Sequence, residues 1–326
     1  MLEILIIIVS FLTTIIIMPH FIRRMHKQGF VGKDMNKFNQ PKIAELGGVV
    51  TFLGFSFGLL FAIFLSTYLS AFNIELSILL AGFCTIALIV FVGFIDDIIG
   101  WKKGIRQWQH ALFPIIAALP LMAIAVGQTT MNLPLIGTVD FGIFYALIII
   151  PIGVTGASNA FNMLAGFNGL EAGQGIILTS TLTIIAFLTG QTTAMILGIA
   201  MIGALIGFLL FNWFPAKIFG GDSLTLMIGA NLAVMSIIGN METIGVIIMV
   251  LFFVEFLIKA KYKFQSECFG IPQKNGILFP QKEKGSITQY ILSIKPMKEQ
   301  NVTIIILLTQ TLICIIVFII FFGGRI

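Results

Sequence analysis

The sequence contains few charged residues and few cysteines. Only 10% of its 326 residues are Asp, Glu, Lys or Arg, whereas 58% are hydrophobic and the mean hydropathy is +1.06. These values lie outside the range of ordinary soluble domains. Cys84, Cys268 and Cys314 are odd in number and lack metal-ligand spacing, so they are interpreted as packing or incidental thiols. The sequence shows no repeat of solenoid period and no low-complexity tract, and it predicts a single integral membrane domain over residues 1–326.

Long apolar runs make up most of the chain. A bilayer core about 30 Å thick requires about 20 apolar residues per helical span. The runs therefore predict an all-α, polytopic membrane protein with about ten transmembrane helices, near 2–19, 48–72, 75–95, 110–126, 141–158, 175–189, 192–211, 223–239, 242–259 and 303–322.

The basic residues indicate an orientation, because Lys and Arg accumulate in short cytoplasmic loops. Every Lys and Arg except Arg325 falls on one side of the predicted membrane. The loops of that side lie at about 20–47, 96–109, 159–174, 212–222 and 260–302. We therefore expect a multi-pass cell-membrane protein with both termini on the non-cytoplasmic side and its working loops facing the cytoplasm. The net charge of +5 predicts a face that attracts anionic headgroups and phosphorylated substrates. Nucleic acid is not an expected partner, because no soluble domain presents such a patch.

Two clusters of polar residues lie in the first half of the chain. GKDMNKFNQPKIAELGG at 32–48 carries Lys33, Asn36, Lys37 and Glu45, which fit a solvated loop as well as a substrate loop. FIDDIIGWKKGIRQWQH at 94–110 places two adjacent acids at a helix C-terminus, where the helix dipole disfavours negative charge. We expect a metal, a metal-bound diphosphate or the basic residues that follow to compensate them.

Two further clusters follow on the same face. FNMLAGFNGLEAGQG at 161–175 offers amides and unobstructed N–H groups that suit a uracil ring and phosphates, although Gly and Asn are also ordinary turn formers. FNWFPAKIFGGDSL at 211–224 places Asp222 at the start of a helix, where a cap and a metal ligand are equally good interpretations. Taken together with Asp96, Asp97 and Asn162, oxygen ligands for Mg²⁺ become the better interpretation, with Mn²⁺ as an alternative metal.

FIDDIIG, NAFNMLAGFNGLEAGQG and FNWFPAKIFGGDS resemble the polyprenyl-phosphate N-acetylhexosamine-1-phosphate transferases, and the likeness covers nearly the whole chain. LAGFNGLEAGQ and KDMNK (33–37) are similar to the eukaryotic and archaeal branch, which transfers GlcNAc-1-phosphate from UDP-GlcNAc to dolichyl phosphate. Bacterial members usually carry an Asp-Gly pair where this chain has Ala165 and Gly166. The bacterial peptidoglycan branch also has a late triple-histidine motif, whereas the histidines here are His20, His26 and His110.

The resemblance implies a Mg²⁺-dependent enzyme that makes GlcNAc-diphospho-lipid and UMP, the first membrane step of lipid-linked glycan assembly. It implies metal ligands at Asp222 and Asn162, and catalytic groups at Asp96, Asp97 and Arg106. It implies nucleotide contacts at Leu164, Ala165, Gly166, Phe167, Asn168 and Asn212. Further lipid-phosphate or substrate-loop residues would be Lys33, Asn36, Lys37, Glu45, Lys102, Lys103, Gln273 and Lys274.

Several alternatives stay open at this point. SECFGIPQKNGILFP at 266–280 lacks the Arg and His of the eukaryotic sugar-selecting loop, so undecaprenyl phosphate or another UDP-N-acetylhexosamine is an alternative substrate. Direct attack by the lipid phosphate is favoured over a covalent phospho-aspartate. A homodimer is compatible with the sequence. A small-solute transporter is the less favoured class, because the ionisable groups gather at one face and no internal repeat is present.

Overall fold

The structure is a computed structural model that describes residues 2–100, 113–133 and 137–323. Helices dominate the described chain, because its long apolar runs can satisfy their backbone polar groups internally only as helices within a bilayer. In chain order they are α1 Leu2–Gln28, α2 Gly47–Leu69, α3 Leu76–Gly100, α4 Leu119–Ala123, a π-helical turn Tyr145–Ile149 leading into α5 Ile150–Met163, α6 Leu170–Leu188, α7 Thr192–Asn212, α8 Asp222–Ile238, α9 Glu242–Ile248, α10 Val250–Lys261, α11 Ile287–Ile294 and α12 Glu299–Phe322.

The helices confirm a polytopic membrane protein, with seven candidate spans in the described chain, or eight if α9 and α10 form one span bent by 57°. Two of the ten predicted spans are not among these candidates. The first is α8, which is apolar but has only 17 residues. The second, near 110–126, lies partly outside the described residues, and its described part contains only short helices.

Three small antiparallel sheets connect the helices, and the all-α prediction did not include them. The strands are β1 Val31–Lys33 with β2 Lys42–Ala44, β3 Thr130–Leu133 with β4 Gly137–Asp140, and β5 Ile271–Pro272 with β6 Ile277–Phe279 and β7 Met297–Lys298. Each strand has only two to four residues, which is too short for an alternating pattern to show in the sequence.

Helix α8 occupies the centre of the bundle. Every residue from Ser223 to Ile237 is buried, as expected for a helix that is apolar on all sides. Neighbouring helices approach its N-terminus closely because glycines face it. A Cβ added at Gly93 of α3 would lie 2.6 Å from the Ser223 nitrogen, and one added at Gly48 of α2 would also reach the Ser223 backbone. The N-terminus of α8 is therefore held against α2 and α3.

The loops around the N-terminus of α8 share one end of the molecule. Ala44 pairs with Ile218 in a parallel bridge. The Phe219 N–H donates to the Ala44 carbonyl at 2.8 Å, and the Gly47 N–H donates to the Phe219 carbonyl at 2.9 Å. These bonds join the β1–β2 hairpin to the α7–α8 connection. Segments nearly 180 residues apart in sequence are thereby brought to a single surface.

Candidate active site

A cavity of about 250 Å³ lies among these loops. Its walls come from the β1–β2 hairpin, the α5–α6 connection, the α7–α8 connection and the segment before β5. Carboxylates, amides, a lysine and aromatic rings line it, namely Asp34, Glu45, Glu171 and Asp222, then Asn162 and Asn212, then Lys33, then Phe167, Phe219 and Phe269. Polar groups from three of the walls and an aromatic ring from the fourth thus converge on one pocket, which is the usual form of a small-molecule site.

Eight of the predicted site residues line this cavity. They are Lys33, Glu45, Asn162, Ala165, Gly166, Phe167, Asn212 and Asp222. Asn36, Lys37, Asp96, Asp97, Leu164, Asn168, Gln273 and Lys274 are described by the structure but are not lining residues. Lys102, Lys103 and Arg106 lie outside the described residues.

Asp97 caps helix α8. Its Oδ1 accepts the Asp222 N–H at 2.6 Å, and its Oδ2 accepts the Ser223 N–H at 3.1 Å and the Ser223 hydroxyl at 2.8 Å. Both carboxylate oxygens therefore bind the otherwise unpaired donors of a helix N-terminus. The neighbouring Asp96 is buried. This arrangement places the end of α3 directly beside Asp222.

Asp222 and Asn162 line the cavity from adjacent helices. The Thr225 hydroxyl, one turn after Asp222 on α8, donates to Asn162 Oδ1 at 3.0 Å and so connects the end of α5 to α8. Among the residues that the structure describes, no group of three or more His, Cys, Asp or Glu side chains could hold a metal ion. An Asp carboxylate and an Asn amide oxygen still fit Mg²⁺, which commonly takes one or two protein oxygens together with substrate phosphates and water.

The loop at 164–169 is shaped by glycines and held by side chains. Gly166 has φ +103, a conformation that side chains rarely adopt, and a Cβ there would lie 2.7 Å from the Phe269 ring. Its N–H donates to Glu171 Oε1 at 2.6 Å. The Gly169 N–H donates to Asn212 Oδ1 at 3.1 Å, while Asn212 Nδ2 donates to the Ile218 carbonyl at 2.9 Å. Asn212 thus links this loop to the α7–α8 connection.

The side-chain amide of Asn168 forms hydrogen bonds to other residues of the protein. Its side chain is only 3% exposed. Its Nδ2 donates to Glu299 Oε1 at 2.8 Å and to Asp34 Oδ2 at 3.3 Å, and its Oδ1 accepts the Ala216 N–H at 2.6 Å. With its amide occupied in this way, Asn168 shapes the loop rather than lining the cavity.

Lys37 neutralises two buried acids. Its ammonium group bonds to Glu299, lies 3.2 Å from Asp34 Oδ2, and stands 4.2 Å from the centre of the Phe214 ring. Glu299 also accepts the Asn168 N–H at 2.8 Å. Neither Glu299 nor Glu171 is among the site residues predicted from the sequence. Each is a single acid at the start of an apolar helix, which by sequence alone indicates no more than a favourable charge at a helix N-terminus.

Glu45 lies in the cavity wall against Gly32. Burial raises the pKa of its carboxyl above the ordinary value of 4.5, and the negative charge of Asp97 raises it further. An additional cation in the cavity would lower this pKa again.

The segment at 266–280 lines the cavity with Phe269 and not with the residues of its β5–β6 turn. Gln273 and Lys274 are exposed in the β5–β6 turn, where the Gln273 N–H donates to the Ile277 carbonyl at 2.9 Å. The backbone before this turn is held by side chains. Gln289 Nε2 donates to the Cys268 carbonyl at 2.9 Å and to the Phe269 carbonyl at 2.6 Å. Burial raises the pKa of the Cys268 thiol, which fits the interpretation of a packing residue.

Comparison with known proteins gives a consistent result. Residues 78–240 match the family described as Glycosyl transferase family 4. A protein named UDP-N-acetylglucosamine-dolichyl-phosphate N-acetylglucosaminephosphotransferase from Saccharolobus solfataricus is 38% identical over 92% of this chain and 91% of its own. Its namesake from Sulfolobus acidocaldarius is 37% identical over 92% and 90%. The phospho-N-acetylmuramoyl-pentapeptide-transferase of Latilactobacillus sakei is 35% identical over 72% and 74%. The resemblance to the archaeal branch is confirmed.

Proposed function

This chain belongs to Glycosyl transferase family 4, and on that premise we propose that it transfers GlcNAc-1-phosphate from UDP-GlcNAc to dolichyl phosphate, giving GlcNAc-diphospho-dolichol and UMP. The substrates follow from the names of the two archaeal relatives, which match over nine-tenths of the chain. The observation that carries the proposal is the cavity itself. It combines the Asp222–Asn162 pair, the glycine-shaped loop at 164–169 and Lys33 at one end of a membrane bundle.

The charges of the cavity match a substrate that arrives with metal. Asp34, Glu45, Glu171 and Asp222 are lining carboxylates, and Lys33 is a lining cation. A bare diphosphate would be repelled by Glu45, Glu171 and Asp222, whereas Asp34 is paired with Lys37. Asp222 and Asn162 are the residues that would hold Mg²⁺ shared with the diphosphate, and Mn²⁺ has the same oxygen preference. When bound, the ion offsets the charge that builds on the departing UMP.

The chain's own residues orient the two substrates. We expect the loop at 164–169 to hold the uridine, with the Phe219 and Phe269 rings as apolar walls and Lys33 near the phosphates. An oxygen of the lipid phosphate attacks the β-phosphorus of UDP-GlcNAc. The bond between that phosphorus and the bridging oxygen breaks, and UMP leaves with the bridging oxygen. Asp97 positions Asp222 through the cap on α8. Lys102, Lys103 and Arg106 are expected to contact the lipid phosphate.

The proposed topology has ten spans, both termini outside and the cavity facing the cytoplasm. The distribution of Lys and Arg supports this orientation. Although α8 has only 17 residues, it is buried by other helices rather than by lipid. Its length of about 25 Å, at 1.5 Å per residue, covers most of a bilayer core about 30 Å thick.

Exchange of labelled UMP into UDP-GlcNAc by purified protein tests the function. With dolichyl phosphate and Mg²⁺ we expect exchange that EDTA abolishes and Mg²⁺ restores. Asp222→Ala should lower the exchange rate at least about 100-fold, because it removes a charged metal ligand. Asp140→Ala is the matched control, since Asp140 lies in the β4 hairpin and accepts the Gly142 N–H at 2.9 Å. Its rate should stay within about twofold.

The same assay separates the alternatives. Undecaprenyl phosphate and other UDP-N-acetylhexosamines are supplied in parallel arms, and the pair with the highest kcat/KM identifies the substrates. Undiminished exchange in Asp222→Ala would remove the metal assignment. Absence of exchange in every arm by folded wild-type protein would overturn the proposed function.

A further inference from the structure

The carboxamide of Asn36 bridges two walls of the cavity without lining it. Asn36 lies in the β1–β2 connection and is 3% exposed. Its Nδ2 donates to the Gly166 carbonyl at 3.0 Å, and its Oδ1 accepts the Gly270 N–H at 3.1 Å. Its own N–H donates to Asp34 Oδ1 at 3.2 Å, which holds the turn that presents the side chain.

The two partners of Asn36 belong to two adjacent walls of the cavity. Gly166 lines the cavity in the α5–α6 loop, and Phe269, next to Gly270, lines it from the segment before β5. These segments are about 100 residues apart in the chain. The Phe269 ring packs against Gly166, where a Cβ would come within 2.7 Å of the ring. The aromatic contact and the Asn36 bridge beside it therefore join the two walls, together with a hydrogen bond from Cys268 Sγ to the Met163 carbonyl at 3.5 Å.

The chemistry of this bridge is specific to asparagine. One end of the side chain must donate to a carbonyl and the other must accept from an N–H. Asn36 and Gly270 are buried and Gly166 is half-buried, so an unmet bond is costly. Aspartate has the same shape but would place a carboxylate oxygen against the Gly166 carbonyl. Alanine would leave both backbone groups without their partner.

We propose that Asn36 is a positioning residue that fixes the Phe269 segment against the 164–169 loop, and that it thereby sets the affinity of the cavity for the nucleotide-sugar. The inference rests on the proposed function for the identity of the ligand, but the bridge itself is a property of the apoprotein. Asn36 differs from Asp222 and Lys33 in touching only the walls, so it acts through Gly166 and Gly270.

Kinetics of Asn36→Ala and Asn36→Asp test the proposal. In both variants we expect KM for UDP-GlcNAc to rise about tenfold or more, because a misplaced wall weakens donor binding. We expect kcat and KM for dolichyl phosphate to stay within about threefold. Asn39→Ala is the matched control, because Asn39 is an exposed asparagine in the same turn. Its kinetic constants should match the wild type.

Hydrogen exchange gives a second readout that does not need turnover. In Asn36→Ala the Gly270 amide loses its acceptor, so exchange should accelerate in the segment 268–272 and in the loop 164–169. In Asn36→Asp the acceptor for Gly270 is retained, so the 268–272 segment should stay protected while the donor KM still rises. Helices α1 and α7 should exchange at the wild-type rate in both variants.

Two outcomes would overturn the proposal. Unchanged donor KM in folded Asn36→Ala and Asn36→Asp would overturn it. A parallel loss of kcat, both KM values and protection throughout the bundle would also overturn it, since it would assign Asn36 a global structural role. If Asn36→Ala does not fold, Asn36→Asp decides. Inactivity of the wild-type protein would overturn the proposed function. Hydrogen exchange in the segments 164–169 and 268–272 would still test whether Asn36 holds them together.

Discussion

Asp97 stands at a helix C-terminus, where negative charge is unfavourable, and the structure shows what compensates it. The sequence indicates a need for positive charge near Asp96 and Asp97 and favours a metal or nearby basic residues. In the structure Asp97 faces the N-terminus of α8, which carries the positive end of a helix dipole and unpaired N–H groups. Asp97, in the last turn of α3, thereby accepts hydrogen bonds from the first N–H groups of α8, and the positive end of the α8 dipole stabilises its charge.

Ser223→Ala tests the cap at the residue scale. The substitution removes the hydroxyl that donates to Asp97 Oδ2 at 2.8 Å and leaves both backbone N–H bonds. A hydrogen bond to a charged group contributes about 1.5–3 kcal/mol, so the melting temperature of the purified protein should fall by several degrees. Ser293→Ala is the control, since Ser293 lies at a surface and bonds within its own helix. An unchanged melting temperature in Ser223→Ala would show that Asp97 does not depend on this hydroxyl.

At the scale of elements, the positions of the helices were predicted more accurately than the residues at which they end. The first predicted span stops at Pro19, yet α1 continues through this proline to Gln28. Hydropathy also could not show the break between α9 and α10 at Met249, because the apolar run is continuous across it. The short strands of the connecting loops carry no periodic signal. Their pairing depends on partners elsewhere in the chain, such as Met297 beside Leu278.

The close contact between Gly93 of α3 and the backbone at the start of α8 can be tested by substitution. A Cβ at Gly93 would lie 2.6 Å from the Ser223 nitrogen and 2.7 Å from the Asp222 carbonyl, and neither backbone atom can move without displacing α8. We expect Gly93→Ala to destabilise the protein by about 3 kcal/mol or more and to abolish transfer by shifting Asp222.

Gly82→Ala is the matched control on the same helix. There the nearest atoms to an added Cβ are the side-chain atoms Val234 Cγ1 at 2.8 Å and Ile238 Cδ1 at 3.0 Å, not backbone atoms, so the overlap does not press on the backbone of α8. We expect the melting temperature of Gly82→Ala to change much less than that of Gly93→Ala. Equal effects of the two substitutions would contradict the close backbone approach at the α8 N-terminus.

At the scale of the whole molecule, alternation of spans and loops was enough to predict which segments share a face. The hairpin at 31–44, the loop at 164–169 and the α7–α8 connection do meet around one cavity. The individual contacts between these segments could not be predicted from sequence patterns. The bonds of Asn168 to Glu299 and of Asn36 to Gly270 join residues 131 and 234 positions apart. Such pairs depend on how the bundle packs, and no local motif records them.

The distribution of Lys and Arg among the loops predicts the orientation of the bundle, which labelling of single cysteines can test. Cys268 and Cys314 are buried, so replacing the exposed Cys84 by alanine gives a background without an accessible thiol among the described residues. Into it we would place Asn73→Cys, Lys217→Cys or Asn275→Cys, three exposed positions in different loops. In intact cells a membrane-impermeant maleimide should label Asn73→Cys, because the α2–α3 loop contains no Lys or Arg and is expected outside. Lys217→Cys and Asn275→Cys should react only after permeabilisation. Because the α7–α8 connection that contains Lys217 also lines the cavity, labelling of Lys217→Cys from outside would mean that the cavity does not face the cytoplasm.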